Sequence, residues 1–295
     1  MKILIIGKTG QLAKTFQSIL QENRHKYSDE YIFVPREAID LNNTKSIKLF
    51  FMNNITDVIV NFAAYTNVNQ CELERSIANQ VNHKSVEFLA KLALENNIKF
   101  IHISTDYVFD GQKKTPYNEL DTTNPINYYG LSKLLGENSI LQTMAKNALI
   151  IRTSWLYSRF GKNFLKSIIQ RTQTQKELKV VDDQIGSPTN AIDLSLLILK
   201  IINDKAFRLD DFPTEIFHFS NTGDASWFDF AEEILSILKI QCNIVKVQSS
   251  VIKLGVMRPS YSVLDSEKIS DRFDFINHDW NVSLKDFLTA DDRLN

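Results

Sequence analysis

The segment Lys2–Ala13, with the sequence KILIIGKTGQLA, decides the fold class of this 295-residue chain. Its first five residues form a short apolar run that is typical of a buried β-strand. Gly7 and Gly10 follow directly and favour a tight turn, in which backbone N–H groups approach a phosphate at the start of a helix. From Leu12 onward the apolar residues have the spacing of one helix face. A strand, a glycine turn and a helix in this order predict a dinucleotide-binding βα unit.

Further short apolar runs alternate with segments of helical periodicity. Strands are predicted at 31–34, 57–62, 99–104 and 148–151, and a helix around 86–94. Strands buried on both faces and separated by helices indicate an α/β fold with a Rossmann-type doubly wound parallel sheet. After Trp155 the pattern is less regular, and a strand is predicted at 178–181, with helices at 191–202 and 227–238. We therefore predict a dinucleotide-binding domain at 1–157, rejoined by about 183–206, and a smaller C-terminal substrate-binding lobe at 158–182 and 207–295.

Composition excludes several classes of protein. The 34 basic and 35 acidic residues give a net charge of -1, which provides no electrostatic argument for binding nucleic acid or an anionic membrane. Cys71 and Cys242 are the two cysteines, too few for a disulfide framework and in no metal-ligand spacing. No segment reaches the roughly 18 apolar residues of a membrane span. We expect a cytoplasmic protein without a metal, nucleic-acid or membrane partner.

Three polar residues indicate carbonyl chemistry. Thr105 follows the fourth predicted strand, at the carboxyl edge where parallel sheets bind ligands. Tyr129 and Lys133 are four residues apart near the start of a helix predicted at 131–142, which places them on one face. An ammonium group, together with an oxidised nicotinamide in the product state, lowers the pKa of a nearby phenol from about 10, and Tyr129 would then protonate a carbonyl oxygen that receives hydride. Thr105 would donate a second hydrogen bond to the developing alkoxide.

The end of the second predicted strand bears on cofactor choice. NAD-binding domains often place an acid there to bind the ribose 2′-hydroxyl, but this sequence reads Val34-Pro35-Arg36-Glu37. Arg36 could instead meet a 2′-phosphate, with a solvated surface arginine as the alternative interpretation. The sequence therefore favours NADPH as the cofactor, with NADH as the alternative.

A set of motifs carries a family resemblance. They are Gly7-x-x-Gly10-x-x-Ala13, AAYT at 63–66, STDYVF at 104–109, Tyr129-x-x-x-Lys133, RTSW at 152–155, DQIGSPT at 183–189 and RPSYS at 258–262. In this order they resemble the extended short-chain dehydrogenases/reductases, and within them the dTDP-4-dehydrorhamnose reductases. The resemblance covers essentially the whole chain.

The resemblance implies reduction of the C4 ketone of dTDP-4-dehydro-β-L-rhamnose to dTDP-L-rhamnose. It implies that Tyr129 is the proton donor, that Lys133 tunes it while binding the nicotinamide ribose, and that Thr105 orients the ketone. The implied cofactor contacts are Gly7, Gly10, Gln11, Leu12, Asp40, Leu41, Ala63, Ala64 and Tyr65. The implied substrate contacts are Thr105, Asp106, Tyr107, Trp155 and Arg258, around a dTDP-4-dehydro-6-deoxy-L-sugar. Some relatives bridge a dimer through magnesium, but no acidic cluster here indicates a metal, so a homodimer is left open.

Other functions fit the same scaffold. The alternatives are another nucleotide-sugar 4-ketoreductase, a C4 epimerase, or a non-catalytic NADP-binding subunit similar to the regulatory subunit of methionine adenosyltransferase. A dehydratase is disfavoured, because these enzymes typically follow the catalytic threonine with Asp-Glu, whereas this sequence has Asp106-Tyr107. The presence of Thr105, Tyr129 and Lys133 favours chemistry over a binding role.

Overall fold

The computed structural model describes residues 1–209, 211–252 and 255–290. The strands are β1 (Lys2–Ile6), β2 (Glu30–Val34), β3 (Val58–Asn61), β4 (Lys99–Thr105), β5 (Ala148–Thr153), β6 (Leu156–Tyr157), β7 (Glu177–Val181), β8 (Ile185–Gly186), β9 (Thr189–Asn190), β10 (Glu215–His218), β11 (Ala225–Ser226) and β12 (Asn243–Val247). The helices are α1 (Gln11–Glu22), α2 (Thr44–Asn53), α3 (Val68–Leu73), α4 (Arg75–Asn79), α5 (Ser85–Glu95), α6 (Tyr128–Thr143), α7 (Phe164–Thr172), α8 (Ala191–Asn203), α9 (Lys205–Leu209), α10 (Trp227–Leu238), α11 (Glu267–Phe273) and α12 (Trp280–Thr289). A π-helical turn at Gln80–Lys84 precedes α5, and a 3-10 turn at Asp106–Val108 follows β4.

Six strands form one parallel sheet, in the order β10-β5-β4-β3-β1-β2. Alternation along β1 explains why it lies inside the sheet with both faces covered, because Ile3 and Ile5 enter one core while Leu4 and Ile6 enter another. α1 and α8 pack on the first face, and α5 packs on the second. Helices on both faces of a parallel sheet confirm the predicted doubly wound fold.

A third core lies beyond the sheet. β7 pairs in parallel with β12, and apolar residues of α7, α10 and α12 pack together beside them. These elements fall within the ranges 158–182 and 207–295 that the sequence assigned to a smaller lobe, but one strand of those ranges lies elsewhere. β10 falls within the range 207–295 assigned to the lobe, yet it pairs with β5 and buries Phe217 in the main core. The prediction is wrong for this strand, because α8 returns the chain to the sheet edge.

The rest of the proposed division into domain and lobe stays a prediction, and residues 210, 253–254 and 291–295 of the lobe lie outside the described residues. α2 is a helix that the sequence pattern did not predict. It begins after Asn43, whose side chain accepts a hydrogen bond from the Lys45 N–H. Within the described ranges, no helix combines the length and apolar character that a membrane span requires.

Candidate active site

The turn after β1 is shaped by glycine. Gly7 has a φ of 98°, and a Cβ there would lie 2.8 Å from the backbone nitrogen of Ala63. Only glycine allows this approach between the ends of β1 and β3. α1 then begins at Gln11, and among the described residues no side chain caps the helix at Gly10. Its first N–H groups therefore face the adjoining cavity, an arrangement that fits a pyrophosphate.

A single cavity of about 1030 Å³ extends from this turn across the carboxyl edge of the sheet. It is lined by every residue for which the sequence suggested a cofactor, substrate or catalytic role: Gly7, Gly10, Gln11, Leu12, Arg36, Asp40, Leu41, Ala63, Ala64, Tyr65, Thr105, Asp106, Tyr107, Tyr129, Lys133, Trp155 and Arg258. Residues far apart in the chain thus meet at one edge of the sheet, as expected for an open parallel sheet.

Asn127 fixes the start of the helix that carries Tyr129. Its Oδ1 accepts a hydrogen bond from the N–H of Gly130 at 2.9 Å, and its Nδ2 donates to the carbonyl of Met257 at 3.0 Å. A Cβ on Gly130 would lie 2.0 Å from the carbonyl oxygen of Tyr107, so the helix packs directly on the segment after β4. One side chain therefore ties α6 to the loop that carries Arg258.

Tyr129 and Thr105 both line the cavity, and the Thr105 hydroxyl donates to Asp106 Oδ1 at 2.9 Å. Burial raises the pKa of Tyr129, the nearby Thr105 hydroxyl opposes this, and the charge of Asp106 raises the pKa further. The sequence predicted a pKa lowered by Lys133 together with an oxidised nicotinamide in the product state, and this stays a prediction. In the protein alone, burial dominates and the pKa is raised. The raised pKa keeps the phenol protonated, as an acid catalyst requires.

Lys133 is almost fully buried, at 1% exposed. Its Nζ donates to the carbonyl of Ile103 at 2.6 Å and lies 3.0 Å from His102 Nε2. Burial lowers the pKa of Lys133 to about 8, against the opposing charge of Glu137. Lys133 therefore lies buried at the cavity, and its pKa is close to neutral pH.

Two polar atoms at the cavity have no hydrogen-bond partner among the described residues. They are Asp106 Oδ2 and Arg258 Nε, both buried. Burial raises the pKa of Asp106 to about 6, although the nearby hydroxyl groups of Ser262 and Thr105 lower it. An unpaired acceptor and an unpaired donor in one cavity fit a polar ligand such as a sugar nucleotide, because buried polar groups are otherwise paired. The described residues contain no cluster of three or more His, Cys, Asp or Glu side chains able to hold a metal ion.

Trp155 forms an aromatic wall of the cavity. Its φ of 45° is left-handed, and its ring stacks on Trp227 with centroids 3.4 Å apart and planes at 5°. A Cβ on Gly186 would lie 2.6 Å from Cε2 of Trp155, so the ring covers this glycine closely. The side chain is only partly buried, which distinguishes it from a core aromatic residue and leaves ring surface for a ligand.

The opposite end of the cavity carries Arg36 and Asp40. Arg36 is 72% exposed, and its Nε lies 3.4 Å from Asp40 Oδ1. The guanidinium is thus held at the cavity rim by a weak ion pair, and it keeps donors for a further anion.

Several residues at the site were missed by sequence reasoning. Asn82, in the π-helical turn, accepts a hydrogen bond from the Tyr65 N–H and donates to the Tyr65 carbonyl and to Ser132. Trp227 supports Trp155, and His102 contacts Lys133. Nothing local marks Asn82 or His102, because their partners are distant in the chain. For Trp227, an aromatic residue after the helix cap Ser226 was the available signal.

Comparisons with known proteins agree with this arrangement. A family model described as the RmlD substrate binding domain matches residues 1–293. The dTDP-4-dehydrorhamnose reductase of Sinorhizobium fredii is 34% identical, over 98% of this chain and 97% of the relative. The dTDP-4-keto-6-deoxy-D-glucose reductase of Streptomyces niveus is 32% identical, over 88% and 87%. The crystal structure of dTDP-4-dehydrorhamnose reductase from Bacillus anthracis in complex with NADP has a TM-score of 0.88 and 33% identity, covering 98% and 99% of the two chains.

Proposed function

The chain belongs to the family of the RmlD substrate binding domain, and from this membership we propose that it reduces the C4 ketone of dTDP-4-dehydro-β-L-rhamnose to dTDP-L-rhamnose. It is an NADP-linked reductase of nucleotide-sugar metabolism, in agreement with the family predicted from its motifs. The observation that carries the proposal is that Tyr129, Thr105 and Lys133 line the same cavity as the glycine turn. A cytoplasmic location and a homodimer stay predictions.

The cavity fits a dinucleotide cofactor. The uncapped start of α1 and the close approach at Gly7 would hold the pyrophosphate, and Lys133 would bind the nicotinamide ribose. Ala63, Ala64 and Tyr65 line the same cavity. When bound, NADPH supplies the hydride that reduces the ketone carbon.

The chain's own residues supply the proton and the orientation. Tyr129 gives its hydroxyl proton to the C4 oxygen, which becomes a far stronger base than a phenolate once the carbon is reduced. Thr105 donates to the same oxygen and holds it near Tyr129. The free Oδ2 of Asp106 accepts a hydrogen bond from a sugar hydroxyl, and Arg258 binds the diphosphate as a charged donor. Trp155 and Tyr107 enclose the sugar.

The proposal is tested with purified protein, NADPH and 4-keto-6-deoxy sugars made enzymatically as dTDP and UDP derivatives. We expect oxidation of NADPH in equal amount to the ketosugar consumed, and a product identified as dTDP-L-rhamnose by NMR. A product with the other configuration at C5 or C4 would identify a different 4-ketoreductase. Interconversion of C4 epimers without net NADPH oxidation would identify an epimerase, and binding of NADPH without turnover would identify a binding subunit.

We predict that Arg36→Ala weakens NADPH binding by about tenfold and leaves NADH binding nearly unchanged. A charge-assisted bond to a 2′-phosphate contributes about 1.5–3 kcal/mol, and the exposed position of Arg36 favours the lower end of that range. Fluorescence titration of both cofactors measures the effect, with Arg24→Ala as an exposed arginine outside the cavity. Equal losses for NADPH and NADH would remove Arg36 from phosphate recognition.

We predict that Trp155→Ala raises the KM for the ketosugar about tenfold and changes the Kd for NADPH little. The variant loses the ring surface that faces the cavity, and aromatic contacts contribute about 0.5–1.5 kcal/mol beyond burial of area. Steady-state kinetics and cofactor titration separate the two effects. Trp227→Phe is the matched control, since it keeps a ring beneath Trp155. Unfolding of Trp155→Ala, or loss of NADPH binding, would support a core role instead.

A further inference from the structure

Three buried polar side chains form a row behind the cavity. Asn61 ends β3, His102 lies within β4, and Lys133 lies in α6; the first two are 0% exposed and the third 1%. Asn61 Nδ2 is 3.1 Å from His102 Nδ1, and His102 Nε2 is 3.0 Å from Lys133 Nζ. Neither Asn61 nor His102 is among the described residues that line the cavity, so the reaction proposed above gives them no task.

The donor and the acceptor of each hydrogen bond in this row follow from the bond that Asn61 makes with the backbone. The backbone N–H of Ala63 donates to Asn61 Oδ1 at 3.1 Å, so Nδ2 of the same amide faces His102. An amide nitrogen only donates, and His102 Nδ1 must therefore accept. A neutral imidazole with Nδ1 as acceptor carries its proton on Nε2, and burial keeps the pKa of His102 well below its usual value.

This tautomer has a consequence for the lysine. The Nε2–H of His102 points at Lys133 Nζ, and an ammonium group has no lone pair to accept it. A neutral amine accepts the hydrogen bond and still donates to the carbonyl of Ile103. The row is thus fully satisfied only when Lys133 is uncharged.

We propose that His102 is a positioning residue that favours the neutral amine of Lys133 in the free protein, so that binding of NADPH above neutral pH draws up to one proton from solvent onto Nζ. The inference rests on the proposed function, because it needs the cofactor to bind beside Lys133. The bond from His102 is lost when Nζ gains its third proton. The ribose hydroxyls and the negative charge of the cofactor stabilise the resulting ammonium, which is the form that assists Tyr129.

The other groups around Lys133 do not offset the unfavourable contact between the Nε2–H of His102 and an ammonium group. On its own helix, Glu137 favours the ammonium, but its carboxylate is paired with Arg152, whose Nη2 lies 2.6 Å from Oε2. Tyr129, one turn earlier, keeps its proton because burial raises its pKa. Asp106, at the end of β4, bonds with Thr105 instead. His102 is the contact on β4 that distinguishes the two charge states of the amine.

The proposal predicts that cofactor affinity is coupled to pH. Calorimetry in buffers of different ionisation enthalpy should show uptake of up to one proton per NADPH bound, between about pH 7.5 and 9.5. Over that range the Kd should rise by up to about tenfold per pH unit. NADH should show the same dependence, because the 2′-phosphate has a pKa of about 6 and no longer titrates there.

Two variants should change this coupling. His102→Phe removes the donor to the amine, and we expect the midpoint of the Kd profile to move up by about one pH unit. Asn61→Asp keeps an acceptor for the Ala63 N–H, but its carboxylate accepts a hydrogen bond from the Nδ1–H tautomer of His102, which leaves Nε2 as an acceptor for a permanent ammonium. Its Kd should not vary with pH in this range. His218→Phe, which replaces another fully buried histidine, is the matched control and should behave as the wild type.

The tautomer of His102 can also be measured directly, without relying on the activity of any variant. The ¹⁵N spectrum of the cofactor-free protein should show His102 protonated at Nε2 and unprotonated at Nδ1, with the signal assigned by its loss in His102→Phe. The opposite tautomer, or NADPH binding without proton uptake, would overturn the proposal while leaving the reductase function intact. An unchanged pH profile in both variants would also overturn it. Failure of NADPH to bind would instead contradict the proposed function, and the tautomer would still be testable.

Discussion

Tyr129→Phe is expected to lower kcat for reduction of the ketosugar by about 10²–10⁴, the usual contribution of general acid catalysis. The ring, its packing and its edge contact with Tyr107, at 5.7 Å between centroids, are retained. Only the hydroxyl is removed, and with it the proton for the C4 oxygen. Since the glycine turn is untouched, the Kd for NADPH should change little.

Two further variants make this result specific. Tyr157→Phe removes a hydroxyl from a buried tyrosine outside the cavity and should keep the wild-type kcat. Lys133→Met should reduce both kcat and NADPH affinity, because the amine is assigned to the ribose as well as to the phenol. Near-normal turnover by Tyr129→Phe would refute the mechanism. It would favour the alternative that the chain is a cofactor-binding subunit in which Tyr129 and Lys133 have a structural role.

The main sheet was predictable because its strands carry their own signals. β1 has apolar side chains for both faces, so the pattern does not depend on what covers them. The glycine turn and the four-residue spacing of Tyr129 and Lys133 are equally local. β10 was misplaced because the four residues EIFH form a weak strand pattern, and only pairing with β5 identifies their position.

Site membership was predictable to a greater degree than site electrostatics. Family motifs placed all the proposed residues at one cavity, but the raised pKa of Tyr129 in the protein alone was not predicted. That shift depends on burial and on Asp106, which follow from tertiary packing. The contact of His102 with Lys133 joins residues 31 positions apart, and neither sequence spacing nor composition indicates it.

A buried ion pair beneath the site leads to the second large expected effect. Arg152 and Glu137 are 2% and 0% exposed, and they meet through Nη2–Oε2 at 2.6 Å and Nε–Oε1 at 3.0 Å. Ser104 donates to the same carboxylate, and Arg152 Nη1 lies 3.3 Å from His218 Nε2. The pair thus joins β4, β5 and α6 at the level of the catalytic residues.

Glu137→Leu is expected to lower the free energy of unfolding by about 3–5 kcal/mol, because it leaves the Arg152 charge buried without its partner. The double variant Glu137→Leu/Arg152→Met should recover most of this loss, since apolar side chains of similar volume can replace a buried pair at little cost. Asp211→Ala is the control, because its ion pair with Lys146 is exposed and should leave the unfolding midpoint nearly unchanged. Urea unfolding followed by circular dichroism measures all three. A single variant as stable as the wild type would mean that solvent or another group neutralises Arg152. If the double variant were no more stable than the single variant, the ends of β4 and β5 would depend on the ion pair itself. The position of Thr105 at the end of β4 would then depend on it as well.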